Sequence, residues 1–267
     1  LAGRYDLAKE NYKKFLELSG NTTPGKVRYG NSLFRAKDYA GALEVIGEVL
    51  QVDKSRNYLN RLAAYSSYDK KPSDAEGGLK YMEEFFRNAP EDGIIARDYA
   101  YYGRLLYKAS KGDSLMLNKA FENMMKAYEL DPSDASPLSE LALDNYYARR
   151  YQEAIRIFEL KATKGQAGKG DPMLIGKAYY QLNNLPKSDS VFSSIIQSNP
   201  DDIQAYLYLA RTYSNMDPSS EQGLAAPKFL MLVEKAASDS VKNKQELYEA
   251  FSYMGYFNLQ KKEYETS

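Results

Sequence analysis

The sequence predicts an all-α fold in which antiparallel helix pairs stack into a solenoid. The first observation is a period of 34 residues, which separates Tyr5 from Tyr39 and Ala8 from Ala42. The second is that each period holds two helical segments, with turn-forming residues only between them. Repeats of this length form one helical hairpin each and pack on their neighbours, so the whole chain is expected to form a single array. The same step separates Ala142, Gly176 and Ala210, then Ala154 and Ser188, then Tyr151 and Leu185.

We divide the 267 residues into consecutive repeats, of which the first and the last are partial. The predicted units cover residues 1–22, 23–55, 56–95, 96–134, 135–168, 169–202, 203–247 and 248–267. The first unit is predicted to be a second helix preceded by a turn at residues 2–5. The last is predicted to be a first helix, with Tyr264 beginning another. The protein is therefore expected to continue in both directions.

The turns inside three hairpins are predicted to be longer than in the others, at residues 69–74, 109–114 and 215–223. Pro227 is expected in the first turn of the helix after the last of these. Pro172 and Pro186 are likewise expected at helix starts or turns. Such insertions lie at one edge of a solenoid and leave its core intact.

Small residues recur where the two helices of a hairpin should approach each other closely. On the first helices they are Gly30, Gly103, Ala142, Gly176, Ala210 and Gly255. On the second helices they are Ala8, Ala42, Ala120 and Ala154. Large residues such as Tyr39, Phe158 and Phe192 are expected to fill the grooves that remain.

The pattern resembles the tetratricopeptide-repeat family, in which a large residue, Leu, a small residue and Tyr mark the first helix. The unit that begins at Pro172 matches through Ile175-Gly176 and Tyr179, and its second helix matches through Ser188 and Phe192. The resemblance extends over nearly the whole chain and is closest to arrays of Bacteroidetes-type bacteria. It implies a right-handed superhelix that binds other proteins and carries no catalytic apparatus.

Composition argues against an enzyme, a cofactor and a metal site. The chain contains no Cys and no His, so thiolate sites, a Cys nucleophile and the commonest general base are all absent. The glycine-rich stretch at residues 165–170 lacks the spacing of a phosphate loop and is predicted to be a turn. The acidic clusters at residues 131–134 and 201–202 stand where helices begin and are expected to act as caps.

Charge and hydropathy argue against nucleic-acid and membrane partners. Lys+Arg and Asp+Glu balance at 36 each. This balance provides no overall field for a nucleic acid or a membrane surface. No apolar run approaches the length that spans a bilayer, so the chain is not expected to be membrane-embedded.

The family resemblance implies a concave groove lined by the first helices, at positions near each small residue. Carried over to this chain, it gives a partner-binding groove that holds Asn31, Arg97, Tyr101, Arg104, Tyr107, Lys108, Tyr146, Lys177, Tyr180, Tyr208, Arg211 and Tyr256. Arg104, Lys177 and Arg211 are predicted to lie on one continuous surface with Glu140 as the only obvious carboxylate nearby. An acidic protein or peptide is therefore the expected partner. A carboxylate clamp of the kind found in some family members is disfavoured, because Val27 stands where its Lys is expected.

The leading hypothesis is a scaffold or adaptor that binds a peptide or protein segment in the concave groove. The alternative is a sensory or regulatory arm of a larger signalling or envelope protein. The residue composition favours a bacterial origin and the periplasm or cell envelope over the cytoplasm. The oligomeric state and the partner's identity are left open.

Overall fold

The structure is a computed structural model that describes residues 2–261, with side chains from Leu7 onward. Within that range the regular elements are all helical, which confirms the predicted all-α fold. The chain forms two compact units that divide between Leu138 and Ser139. The predicted start of a second helix at Tyr264 lies outside the described residues.

The first unit consists of three helical hairpins preceded by a single helix. α1 packs on α2, and the pairs α2–α3, α4–α5 and α6–α7 form the hairpins. The seven helices are α1 (Ala2–Leu18), α2 (Thr23–Arg35), α3 (Tyr39–Val52), α4 (Tyr58–Asp69), α5 (Ala75–Asn88), α6 (Ala96–Ala109) and α7 (Ser114–Leu130). A short 3-10 helix, Glu91–Gly93, joins the second hairpin to the third.

In the second unit the single helix comes last, after the hairpins, and the division between the units falls inside α8. Contacts continue from α9 to α10, within the pairs α10–α11 and α12–α13, and on to α14. Its helices are α8 (Ser136–Tyr147), α9 (Tyr151–Thr163), α10 (Asp171–Gln181), α11 (Leu185–Ser198), α12 (Ile203–Met216), α13 (Ala226–Ala236) and α14 (Lys244–Gln260). A 3-10 turn, Ala237–Asp239, extends α13.

Aspartate side chains cap four helix starts, of which only the one at Asp202 was predicted from the sequence. Asp38, Asp74 and Asp113 cap α3, α5 and α7, each side chain accepting a hydrogen bond from the backbone N–H three residues ahead. Asp202 caps α12 in the same way, which confirms the capping prediction there. These carboxylates accept hydrogen bonds from backbone N–H groups that have no partner within the helix. The starts of α3, α5, α7 and α12 are therefore well defined.

The predicted positions of three prolines and of the glycine-rich turn are also confirmed. Pro172, Pro186 and Pro227 stand in the first turns of α10, α11 and α13. The stretch 165–170 is a turn between α9 and α10. Asp171, after that turn, pairs with the buried ammonium of Lys161 at 2.8 Å. Among the described residues, no three acidic side chains lie close enough together to hold a metal ion.

Two predicted turns are wrong in their extent. Residues 2–5, expected as a turn, belong to α1, which begins at Ala2. α12 continues to Met216, so the insertion expected from residue 215 begins only after that residue. α12 ends two residues before Pro218, which cannot continue the helix.

Close helix approach occurs at three of the predicted small positions. A Cβ atom added at Gly30 would lie 3.0 Å from Ile46, and one at Gly176 would lie 2.7 Å from Phe192. At Gly103 it would lie 2.5 Å from Met124. At Gly255 no atom of the described residues lies within 4 Å of the added Cβ, and the partner helix predicted to begin at Tyr264 lies outside those residues.

A buried polar network joins α4 to α6 in the first unit. Asp98 is fully buried and accepts hydrogen bonds from Arg61 Nη2 at 2.7 Å and from the Tyr65 hydroxyl at 2.6 Å. The backbone N–H of Ile95 donates to the same carboxylate at 2.8 Å. Since both helices are first helices of consecutive hairpins, this network fixes their relative position on the side where binding residues were predicted.

Candidate binding surfaces on the first helices

In the first unit, the predicted residue Tyr101 lies at the centre of a group of aromatic rings. Its ring is 4.1 Å from that of Tyr65 and meets Tyr68 edge-on at 5.6 Å. Its hydroxyl donates to Asp69 Oδ2 at 2.7 Å. Burial, followed by this hydrogen bond, raises the pKa of Tyr101, so the phenol stays a neutral donor.

Two predicted cations lie over these rings. The Arg104 guanidinium is 5.3 Å from the centre of the Tyr101 ring, and the Lys108 ammonium is 4.1 Å from that of Tyr68. Such contacts hold a cation above an aromatic face. We call Tyr68, Asp69, Tyr101, Arg104 and Lys108 the Tyr101 cluster.

The other predicted groove residues of this unit do not belong to the Tyr101 cluster. The Asn31 amide donates to Val27 O of its own helix at 2.8 Å, so this donor is already used. Arg97 is exposed at the start of α6, and Tyr107 packs partly buried against the core of this unit.

In the second unit, Tyr208 on α12 brings several predicted residues together. The Lys177 ammonium is 4.4 Å from the centre of its ring, and the Arg211 guanidinium is 5.0 Å from it. The Tyr180 ring meets Tyr208 edge-on at 5.9 Å, while Phe192 from the core stacks on it at 5.5 Å. Lys177 and Tyr180 belong to α10 and Tyr208 and Arg211 to α12, and these two first helices are in contact.

The Arg211 side chain has a partner that the sequence reasoning missed. Its Nε and Nη2 donate to the two carboxylate oxygens of Glu249 on α14, at 2.7 and 2.6 Å. The idea of an Arg211 without a nearby carboxylate is therefore wrong, because this two-pronged pair neutralises it. The repeat pattern contained a signal for this residue. Glu249 stands six residues before the small residue Gly255, which is the same repeat position that Gln204 occupies before Ala210.

Lys177 differs from Arg211 in its partners. Within residues 7–261, no carboxylate forms an ion pair with its half-buried ammonium, which faces the Tyr208 ring instead. We call Lys177, Tyr180, Tyr208, Arg211 and Glu249 the Tyr208 cluster. It has one cation that is neutralised and one that is not.

The last two candidates are Tyr146 on α8 and Tyr256 on α14. Burial raises the pKa of Tyr146 to about 12, and its ring packs edge-on against Tyr151 at 5.5 Å. Tyr256 is exposed, and its hydroxyl accepts a hydrogen bond from the Gln260 amide. Both remain accessible enough to extend a contact surface but make no ion pair among the described residues.

No protein-family model matches the chain. A TPR repeat-containing protein of Methanocaldococcus jannaschii is 23% identical over 237 aligned residues, covering 76% of this chain and 42% of the relative. The chain thus spans less than half the length of this curated relative. The described helices include none that is long and apolar enough to cross a membrane.

Solved structures share the fold. The C-terminal part of a TPR repeat-containing protein from Cytophaga hutchinsonii matches with a TM-score of 0.61 at 26% identity, covering 88% of each chain. The Naa15/Naa10 complex bound to HypK matches with a TM-score of 0.52 at 16% identity, covering 88% of this chain and 36% of that one. The first likeness confirms the predicted solenoid of stacked helix pairs, and the second agrees with it at the level of fold.

Proposed function

We propose that the chain is a tetratricopeptide-repeat protein and acts as a non-enzymatic scaffold that binds an acidic peptide or protein segment along its first helices. The observation that carries the proposal is the Lys177 ammonium, which lies against the Tyr208 ring and is paired with no carboxylate among residues 7–261. A ligand carboxylate can approach this cation without displacing a side chain of the protein. The residues predicted for the groove are the contact surface of this proposal.

The Tyr208 cluster offers an acidic segment three kinds of contact. Lys177 supplies a charge that no described carboxylate neutralises, and Tyr180, whose ring meets Tyr208 edge-on, supplies a hydroxyl donor. The Tyr208 ring supplies rigid apolar area, which is ordered before binding because Phe192 stacks beneath it. Aromatic side chains of this kind give contact area at low cost in conformational entropy.

The Tyr101 cluster is a second contact surface, in the first unit. Arg104 and Lys108 present positive charge over Tyr101 and Tyr68, while Asp69 is occupied by the Tyr101 hydroxyl. That Arg104 shares one continuous surface with Lys177 and Arg211 stays a prediction.

We expect Lys177→Glu to weaken binding of a fluorescein-labelled Glu/Asp-rich peptide by about tenfold, or ~1.4 kcal/mol. The substitution replaces an attraction by a repulsion at a half-buried position, where solvent screens charge less than at the surface. Fluorescence anisotropy measures the affinity, and a Lys/Arg-rich peptide of equal length shows whether the preference is for acid.

The matched control is Lys242→Glu, which makes the same change in net charge at an exposed turn before α14. It should leave the affinity within about twofold, since exposed charges contribute little. Equal losses from the two variants, or no preference for the acidic peptide, would show that Lys177 is not the contact. A labelled single-stranded RNA in the same assay tests the prediction that nucleic acid is not a partner.

Glu249→Gln should have the opposite effect and tighten binding of the acidic peptide. The substitution removes the carboxylate that neutralises Arg211 and releases its guanidinium for a ligand. We expect a gain of about threefold to tenfold, the range of one added charge-assisted contact at a partly exposed site. An unchanged or weaker affinity, with unfolding unaffected, would show that Arg211 does not face the ligand.

The alternative function is a sensory or regulatory arm of a larger signalling or envelope protein. It is supported by the length of the curated relative, of which this chain spans less than half. The likeness to a Cytophaga hutchinsonii protein supports a bacterial origin, and placement in the periplasm or envelope is part of this proposal. The sequence that flanks these residues in the native gene decides between arm and free-standing scaffold.

A further inference from the structure

The first unit has a cavity between the second helices α3 and α5, above the start of α4. Its volume is about 420 Å³, which is within the range of pockets that hold small molecules. The side chains that decide its chemistry come from all three helices and the turn after α3. They are Gly47, Lys54, Asn60, Lys80, Tyr81 and Glu84.

Asn60 is the most buried polar residue of this lining, with 7% of its surface exposed. The amide nitrogen of Asn57 donates to Phe85 O at 2.9 Å, because a carbonyl oxygen can only accept. The Asn57 oxygen is therefore the atom that accepts from the Asn60 amide nitrogen, at 3.1 Å. This chain of two amides fixes the orientation of Asn60. It leaves the Asn60 carboxamide oxygen without a donor among the described residues, so a ligand that donates to this oxygen is favoured.

Gly47 keeps the cavity open beside the Tyr81 hydroxyl. The nearest atom to a Cβ added at Gly47 is the hydroxyl oxygen of Tyr81, at 3.8 Å. Gly47 lies inside α3, where almost any other residue would favour the helix more. In the part of the chain that the structure describes, the Tyr81 hydroxyl has no hydrogen-bond partner, so it can donate to a ligand or accept from one.

The charged side chains of the lining favour an anion. Lys54 lies in the turn after α3 and Lys80 lies on α5, and neither forms an ion pair within residues 7–261. Both oxygens of Glu84 are already engaged: one accepts from the Arg87 guanidinium, and the other accepts from the Asn88 amide at 2.7 Å. The cavity thus has two unpaired ammonium groups and one carboxylate that is neutralised, which gives it a positive field.

We propose that this cavity binds a small hydroxylated anion, of the class of sugar phosphates and sugar acids. The anionic group lies between the ammonium groups of Lys54 and Lys80. One ligand hydroxyl donates to the Asn60 carboxamide oxygen, and another pairs with the Tyr81 hydroxyl. None of these residues belongs to the predicted groove on the first helices, so the inference does not depend on the proposed peptide binding.

Isothermal titration calorimetry of the whole chain with four small probes tests this assignment. Glucose 6-phosphate and gluconate have both hydroxyls and an anionic group, whereas glucose lacks the anion and inorganic phosphate lacks the sugar hydroxyls. We expect at least one of the first two to bind with a dissociation constant below about 1 mM, and about tenfold or more tighter than glucose and inorganic phosphate. The tighter of the two identifies the anionic group as phosphate or carboxylate. No binding of either, or equally tight binding of inorganic phosphate or glucose, would overturn the proposal.

Two variants place the binding in this cavity. Gly47→Leu should weaken binding of the tighter probe by about tenfold or more, because the leucine fills the cavity. Its thermal unfolding should be unchanged or shifted to higher temperature, since the added Cβ meets no atom nearer than 3.8 Å. Lys54→Gln with Lys80→Gln should cause a similar loss by removing both charges.

The matched control for the lysine pair is Lys13→Gln with Lys14→Gln, which removes two exposed charges from α1 of the same unit. It should leave the affinity within about twofold. Wild-type affinity in Gly47→Leu, or equal losses from the two lysine pairs, would show that the probe binds elsewhere and would contradict the proposal.

Discussion

Asp98→Ala is expected to lower the free energy of unfolding of the first unit by about 3 kcal/mol. The substitution leaves the Arg61 guanidinium, the Tyr65 hydroxyl and the Ile95 N–H without their shared acceptor. A buried charge that loses its partner costs more than the pair itself contributes, because it is neither solvated nor neutralised. Arg61 is 23% exposed, so we place the loss at the lower end of the range for buried pairs.

Urea unfolding followed by circular dichroism measures this loss. Asp92→Ala, at an exposed position in the preceding 3-10 turn, is the control and should change stability by less than about 0.5 kcal/mol. Asp98→Asn should fall between the two, because an amide oxygen can still accept hydrogen bonds but carries no charge for Arg61. An Asp98→Ala variant as stable as the control would show that the network does not hold α4 and α6 together.

Gly103→Leu is the other substitution with a large expected effect, about 3 kcal/mol of destabilisation. A Cβ at this position would lie 2.5 Å from Met124 Cγ and 2.9 Å from the backbone oxygen of Ala120. Met124 could change its rotamer, but the backbone of α7 must move as a whole. The higher helix propensity of Leu offsets only about 1 kcal/mol of this cost.

Gly255→Leu is the matched comparison. It makes the same chemical change at the same position of a repeat, where no atom of the described residues lies within 4 Å of the added Cβ. It should leave stability unchanged or raise it by up to about 1 kcal/mol, as expected for replacing Gly inside an exposed helix. If both variants lost the same stability in urea unfolding, the close approach of α6 and α7 would not be the reason.

The fold could be predicted from the sequence because its contacts repeat with the sequence period. Part of the Tyr208 cluster could be predicted for the same reason. Lys177 and Arg211 are 34 residues apart and occupy equal positions on α10 and α12, so stacking the repeats brings both to Tyr208. A repeated position predicts neighbours without any knowledge of side-chain geometry.

The contacts that escaped prediction join unequal positions. Asp98 meets Arg61 across 37 residues, and Glu249 meets Arg211 across 38. The inserted turns and the tilt of consecutive hairpins decide which side chains come within hydrogen-bond distance in such cases. The extent of α12 escaped for a local reason, since residues 214–216 are compatible with both helix and turn until Pro218.

Mapping the bound acidic peptide on the protein tests the central claim most directly. A Glu/Asp-rich peptide with one photoreactive benzoyl-phenylalanine is bound, irradiated and digested, and its attachment points are read by mass spectrometry. We predict attachment on α10 and α12, around Lys177, Tyr180 and Tyr208, with loss of those products in Lys177→Glu. Attachment mainly on the second helices α11 and α13, or a pattern that Lys177→Glu leaves unchanged, would contradict binding along the first helices.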